Sequence, residues 1–207
     1  MYITWLGQSC FKIQSHEVQV IIDPVSKTSG LRKPRFSNID MVIVSSPEYN
    51  PSDPKIESLM IDGPGEYEAK QVFVKGIPIE HENGDPSDTV YWIEIEGITI
   101  GHLGKLNTSL SDKQLESLEG LDVLLVPVGG NGVLDAKQAA EVISQIEPRI
   151  VIPMQYKIPG LKEKRDSIDS FKKALGVNGD GTAESRLSIK KKDLPQDDMQ
   201  ITILAPQ

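Results

Sequence analysis

The stretch LDVLLVPVGGNGVLDAKQAAEVISQIEPRIVIPM, residues 121–154, decides the fold class. Residues 121–128 form an unbroken apolar run, the pattern of a strand buried on both faces. Asp135 is a natural N-cap for a helix whose Ala136, Ala139, Ala140, Ile143 and Ile146 fall on one face, and Pro148 lies just past its end. Residues 149–154 are a second apolar strand. A strand, a helix and a strand in this order make a parallel crossover, right-handed by the general rule.

Upstream the pattern differs. Residues 2–6, 10–13, 18–22, 41–44, 72–79, 90–95 and 98–101 are short runs rich in Val, Ile and aromatics, bounded by turn residues. They read as strands, mostly in successive hairpins. Ser111 with Gln114 makes a capping box for a short helix carrying Leu115 and Leu118 and closed by Gly120. Downstream, a last helix is expected over 162–175, with Ile168, Phe171 and Leu175 on one face and Gly176 as its cap, before closing strands near Leu187 and over 199–204. The expectation is one α/β domain over residues 1–207.

Composition narrows the function. The chain has 207 residues, 25% of them charged, with a net charge of −8 and a mean hydropathy of −0.26. A net negative chain repels phosphate backbones, so nucleic-acid partners are not expected. The apolar runs stop far short of the ~20 residues a bilayer span needs, and residues 1–11 lack the basic and apolar regions of a signal peptide. No membrane partner and a cytoplasmic location are the expectations. The single cysteine, Cys10, excludes an intrachain disulfide and reads as a buried, inert thiol. Lys190, Lys191 and Lys192 read as a solvated strand end, and residues 129–132, rich in glycine but lacking a P-loop ending, as a connecting loop.

Trp5-Leu6-Gly7-Gln8-Ser9-Cys10-Phe11, Ile22-Asp23-Pro24, Val42-Ile43-Val44-Ser45, Gly63-Pro64-Gly65-Glu66-Tyr67-Glu68, Gly76-Ile77-Pro78, His102-Leu103-Gly104, Val126-Pro127-Val128-Gly129-Gly130, Asp135-Ala136-Lys137 and Ile152-Pro153-Met154 follow one another along nearly the whole chain. In these segments it resembles the metallo-β-lactamase superfamily, within it the small metal-dependent hydrolases related to ascorbate-6-phosphate lactonase. The resemblance implies an αβ/βα four-layer sandwich, two mixed sheets packed face to face and flanked by helices, with a metal site at one edge. It also implies a binuclear centre, usually zinc, that turns water into hydroxide near neutral pH.

The ligand positions implied by the resemblance are altered. Where a His-x-His-x-Asp-His motif belongs, this chain has Ser46, Glu48, Asn50 and Pro51. The ligand after Gly-Ile-Pro is present as His81. The bridging aspartate corresponds to Lys105, a nearby histidine to Thr108, and the last ligand to Gln155. These eight residues outline a degenerate pocket in which Glu48 and His81 are the competent metal ligands. Lys105 either pairs with Glu48 inside the pocket or points with it into solvent. His102 is not a ligand in the resemblance and reads as structural; His16 reads as exposed.

The expectation is therefore a pseudoenzyme of this fold without a metal cofactor, leaning away from an enzyme, that binds a small molecule or a protein at the altered edge. Assembly into a homo-oligomer is left open. The alternative is a metal-dependent zinc hydrolase with an altered or partial metal site.

Overall fold

The computed structural model describes residues 1–25, 28–32, 34, 36–49, 58–79, 88–177 and 183–207. Thirteen strands are described in two sheets. The first sheet holds β1 (Tyr2–Gly7), β2 (Cys10–Gln14), β3 (Gln19–Ile22), β4 (Met41–Ile43), β5 (Leu59–Ile61) and, far along the chain, β12 (Leu187–Ser188), in the order β12-β1-β2-β3-β4-β5. The second holds β6 (Gly65–Ala69), β7 (Val72–Ile79), β8 (Asp88–Ile95), β9 (Ile98–His102), β10 (Val123–Pro127), β11 (Ile150–Met154) and β13 (Gln200–Ile201), in the order β13-β11-β10-β9-β8-β7-β6. Both are mixed. Hairpins join β1 to β3 and β6 to β9, whereas β3 to β5 and β9 to β11 run parallel.

The alternation read from sequence faces the core. In β1, Ile3 and Trp5 are fully buried, and they join Phe11, Ile13 and Ile22 of the first sheet with Val74, Ile93 and Ile100 of the second in one apolar cluster. Every residue of β10 and β11 is buried, as the unbroken apolar runs require. Between them α2 (Ala136–Ile146) sets Ala139, Val142, Ile143 and Ile146 inward. Asp135 caps it by accepting from the backbone N–H groups of Lys137 and Gln138 at 2.9 Å each, a cap worth about 1 kcal/mol.

Two expectations change. The last helix, α3 (Ile168–Ala174), begins six residues later than the periodicity predicts. The backbone before it is committed elsewhere: Lys162 N–H donates to Ser29, Lys157 N–H to Asp166 and Asp166 N–H to Gly129. A segment whose donors serve three different loops cannot also make the helical ladder. The expected flanking helices are also unequal. Helices α1 (Asp112–Ser117), α2 and α3 lie in the half of the chain that builds the second sheet, while the outer face of the first packs Cys10, Ile21 and Val25 against the loop residues Leu31, Phe36 and Ile39. Cys10 is buried there, and burial holds its thiol up, out of the range of a nucleophile. Lys191 stays in solvent, as expected, and pairs from there with buried Asp122 at 2.7 Å. Among the described residues no helix is long and apolar enough to cross a membrane.

Candidate functional site

The carboxyl ends of β3, β4 and β9 converge with the turn after β1 on a buried carboxyl group. Asp23 follows β3 with φ +46° and no exposure. Its Oδ1 accepts the Ser45 N–H at 2.7 Å and its Oδ2 the Ser45 hydroxyl at 2.6 Å. Burial pushes its pKa up, against the lowering effects of His102 and Ser45. Asp23 thereby ties the chain leaving β4 to the chain leaving β3.

His102 closes the same floor. Its Nε2 donates to Ser9 O at 2.9 Å, and its Nδ1 accepts the Gly104 N–H at 3.2 Å. Both bonds together call for the neutral ring, and burial holds the pKa down accordingly. Nε2 lies 3.8 Å from Asp23 Oδ2. Gly104 itself has φ +54°, and a Cβ there would stand 2.5 Å from the Ser45 hydroxyl, so both conformation and space demand glycine. Tyr91 completes the floor by donating its hydroxyl to Val44 O at 2.8 Å.

Above this floor the chain turns over residues 46–49. Ser46 is buried, Pro47–Tyr49 form one 3-10 turn, and Glu48 and Tyr49 leave it on different sides. Glu48 is 65% exposed and accepts from Lys105 Nζ at 2.7 Å, with the lysine side chain 22% exposed. Lys105 and Glu48 are paired, but at the solvent edge rather than inside a pocket. Tyr49 is buried and its hydroxyl accepts the Gln155 Nε2 at 3.0 Å. Gln155, fully buried with φ +58°, is joined through Oε1 to Arg165 Nη2 at 3.4 Å. Arg165 is 6% exposed and also pairs with Glu163 at 2.7 Å, whose other oxygen accepts from Gln8 Nε2 at 2.7 Å.

The sequence-derived positions thus divide. Glu48 meets Lys105, and Gln155 reaches the neighbouring Tyr49. Thr108 is exposed and lines a separate groove between β7 and α1. Asn50, Pro51 and His81 lie outside the described residues. Sequence reasoning did not single out Tyr49, Glu163 or Arg165. For Arg165 the sequence shows only the nearby Glu163; its partners Gln155 and Asn131 lie 10 and 34 positions away. Asp23, by contrast, ends an apolar strand before a proline, a position where a carboxylate invites a structural or catalytic explanation.

The donor set decides what could be held here. Among the described residues no group of three or more His, Cys, Asp or Glu side chains could hold a metal ion. Ser46, Thr108 and Gln155 are weak neutral donors and Lys105 is a cation, so a binuclear zinc centre does not fit these residues. Glu48 is the carboxylate that remains at the rim.

A family model described as a β-lactamase superfamily domain matches residues 2–155. A UPF0173 protein of Pyrococcus furiosus is 28% identical over 204 residues, covering 84% of this chain and 90% of its own. A UPF0173 metal-dependent hydrolase of Pyrococcus abyssi is 23% identical over 189 residues, covering 74% and 84%. A solved protein of Thermotoga maritima, described as a candidate Zn-dependent hydrolase of the metallo-β-lactamase superfamily, superposes with a TM-score of 0.78 at 29% identity, covering 99% of this chain and all of its own.

These names correct the expectation of a chain without a cofactor: kinship with metal-dependent hydrolases points to a metal ion. A metal is held by a set, and Glu48, Asn50 and His81 still offer oxygen and nitrogen donors of kinds that divalent ions accept. With its sheets, its floor motifs and a family match spanning most of its length, the chain belongs to the β-lactamase superfamily and has the metallo-β-lactamase fold.

Proposed function

We propose that this chain is a metal-dependent hydrolase with an altered, partial metal site at the rim built by residues 46–49 and Lys105. The observation that carries the proposal is Glu48: a carboxylate standing at a ligand position, 65% exposed and held in place by Lys105 rather than buried in an internal network. Kinship with proteins named metal-dependent hydrolases supports the same reading. His81 is the second competent donor.

The chain's own residues have definable tasks in this reading. Asp23 and Ser45 fix where the loop starts, the 3-10 turn aims Glu48 outward, and Lys105 orients the carboxylate while it awaits a stronger partner. Buried Tyr49 and Gln155 keep water from the floor.

A second reading is favoured by one observation. The 2.7 Å contact between Lys105 and Glu48 satisfies the carboxylate internally, and the same rim would then bind a small molecule or a protein partner without turnover. Hydrolysis separates the two. Chelator-treated protein and protein re-equilibrated with zinc or manganese are assayed on a panel of esters, lactones and phosphodiesters. Turnover that depends on added metal and is lost in Glu48→Gln and His81→Ala is the expected result. Equal, background-level rates in every sample overturn the hydrolase reading in favour of binding.

A further inference from the structure

A groove of about 460 Å³ lies between β7 and the short helix α1. Its floor is apolar, made by Ile77 and Ile79, which are 5% and 2% exposed. One wall is the sheet and carries Lys75; the other is the helix and carries Lys113. Gln114 locks the walls together. Its Nε2 donates to Pro78 O at 2.9 Å while its Oε1 accepts the Ser111 N–H at 2.9 Å. The groove is therefore shaped by bonds that exist without any ligand, and its volume falls in the range of small-molecule sites.

Its electrostatics run against the rest of the chain. The protein carries 30 acids against 22 bases, yet the residues lining this groove include two lysines and no aspartate or glutamate. Asp112 and Glu116, on the same helix, do not line it. Neither Lys75 nor Lys113 is paired with any described residue. Thr108, Ser109 and Ser117 add hydroxyls with no described hydrogen bond. Two cations, one on each wall and neither paired with a described residue, together with hydroxyls and buried isoleucines along the same groove, form the complement of a molecule with an anionic head and a small apolar body.

We propose that this groove binds a small organic anion, its phosphate or carboxylate head held between Lys75 and Lys113 and its body laid on Ile77 and Ile79. The proposal needs no metal and stands or falls separately from the hydrolase reading.

The test uses the full chain at physiological ionic strength, where diffuse attraction between exposed charges is screened. Phenyl phosphate and benzoate are titrated in turn while backbone amide signals are followed by NMR. Saturable shifts confined to residues 75–79 and 108–117 are expected with one or both probes, and the tighter probe names the head group. The double variant K75Q/K113Q is expected to bind at least about tenfold more weakly, since two charge-assisted contacts are lost. Both lysines lie at the surface, so an unchanged thermal melt confirms that the variant is folded. No saturable shift up to about 10 mM of either probe, shifts spread over lysines elsewhere, or wild-type affinity in the double variant overturns the proposal.

Discussion

The floor and the rim of the candidate site lie within one loop of each other and obey different rules. The floor is Asp23, Ser45, His102 and Gly104, all buried, all hydrogen-bonded to one another or to backbone, and all within segments that match the family. The rim is the Glu48–Lys105 pair, with the glutamate 65% exposed, at positions that the resemblance gives to metal ligands. The floor holds strand ends together whatever chemistry sits above it, because its polar groups are buried and each must find a partner. The rim pair, with Glu48 65% exposed, can change type without unfolding the protein.

The sharpest way to break this contrast is Asp23→Ala. It removes the acceptor for two Ser45 donors in a site without water access, and the expected loss is about 3 kcal/mol of unfolding free energy in urea. A loss as small as a surface substitution would show that the floor is not what joins β3 to β4.

Next comes Gln155→Ala, with an expected cost of about 2 kcal/mol, since the buried Tyr49 hydroxyl and Arg165 guanidinium each lose a partner. Gln155→Gly should lose less than Gln155→Ala, because glycine relieves the φ of +58°. Equal losses would mean that the backbone there is unstrained.

A gentler effect is the pH dependence of the floor. Burial holds the His102 pKa below its usual 6.5, so the unfolded chain takes up a proton before the folded one does. Its contribution is full above about pH 6.5 and is lost as the pH falls toward the folded value. Asp23 works the opposite way: burial raises its pKa, so its contribution is full below 3.8 and is lost as the pH rises through the folded value. Between pH 7 and 5 the two contributions oppose each other, so His102→Gln, which leaves Asp23 alone, should shift the slope of urea midpoint against pH toward greater stability at low pH.

Smallest of all is Lys105→Ala, at under about 1 kcal/mol, because an ion pair with one partner 65% exposed contributes little. A cost comparable to that of Asp23→Ala would move the rim into the same class as the floor.

Much of the fold was legible from pattern. The apolar runs at β10 and β11, the Asp135 cap and the alternation in β1, β2 and β7 have local physical causes that a sequence displays. Strands β5 and β6 were missed. The first is three residues long, and the second, Gly65–Ala69, holds two glutamates and is a strand by virtue of its pairing with β7. The start of α3 was misplaced for a related reason, since the loop before it is held by distant carbonyls. At the site, the contact of Glu48 with Lys105 was foreseeable as one of two placements, because opposite charges stood at two positions that the resemblance gives to ligands. The chain of contacts through Tyr49, Gln155, Arg165 and Glu163 was not, for it links side chains that no periodicity connects.

The most direct test of the rim as an altered metal site is metal content, read by elemental mass spectrometry on untagged protein re-equilibrated with zinc and manganese, alongside Glu48→Gln and Lys105→Ala. The account predicts about one metal ion per chain, lost in Glu48→Gln and bound more tightly in Lys105→Ala, where the carboxylate is released from its ammonium. Metal content near zero in the wild type and in Lys105→Ala alike would contradict it.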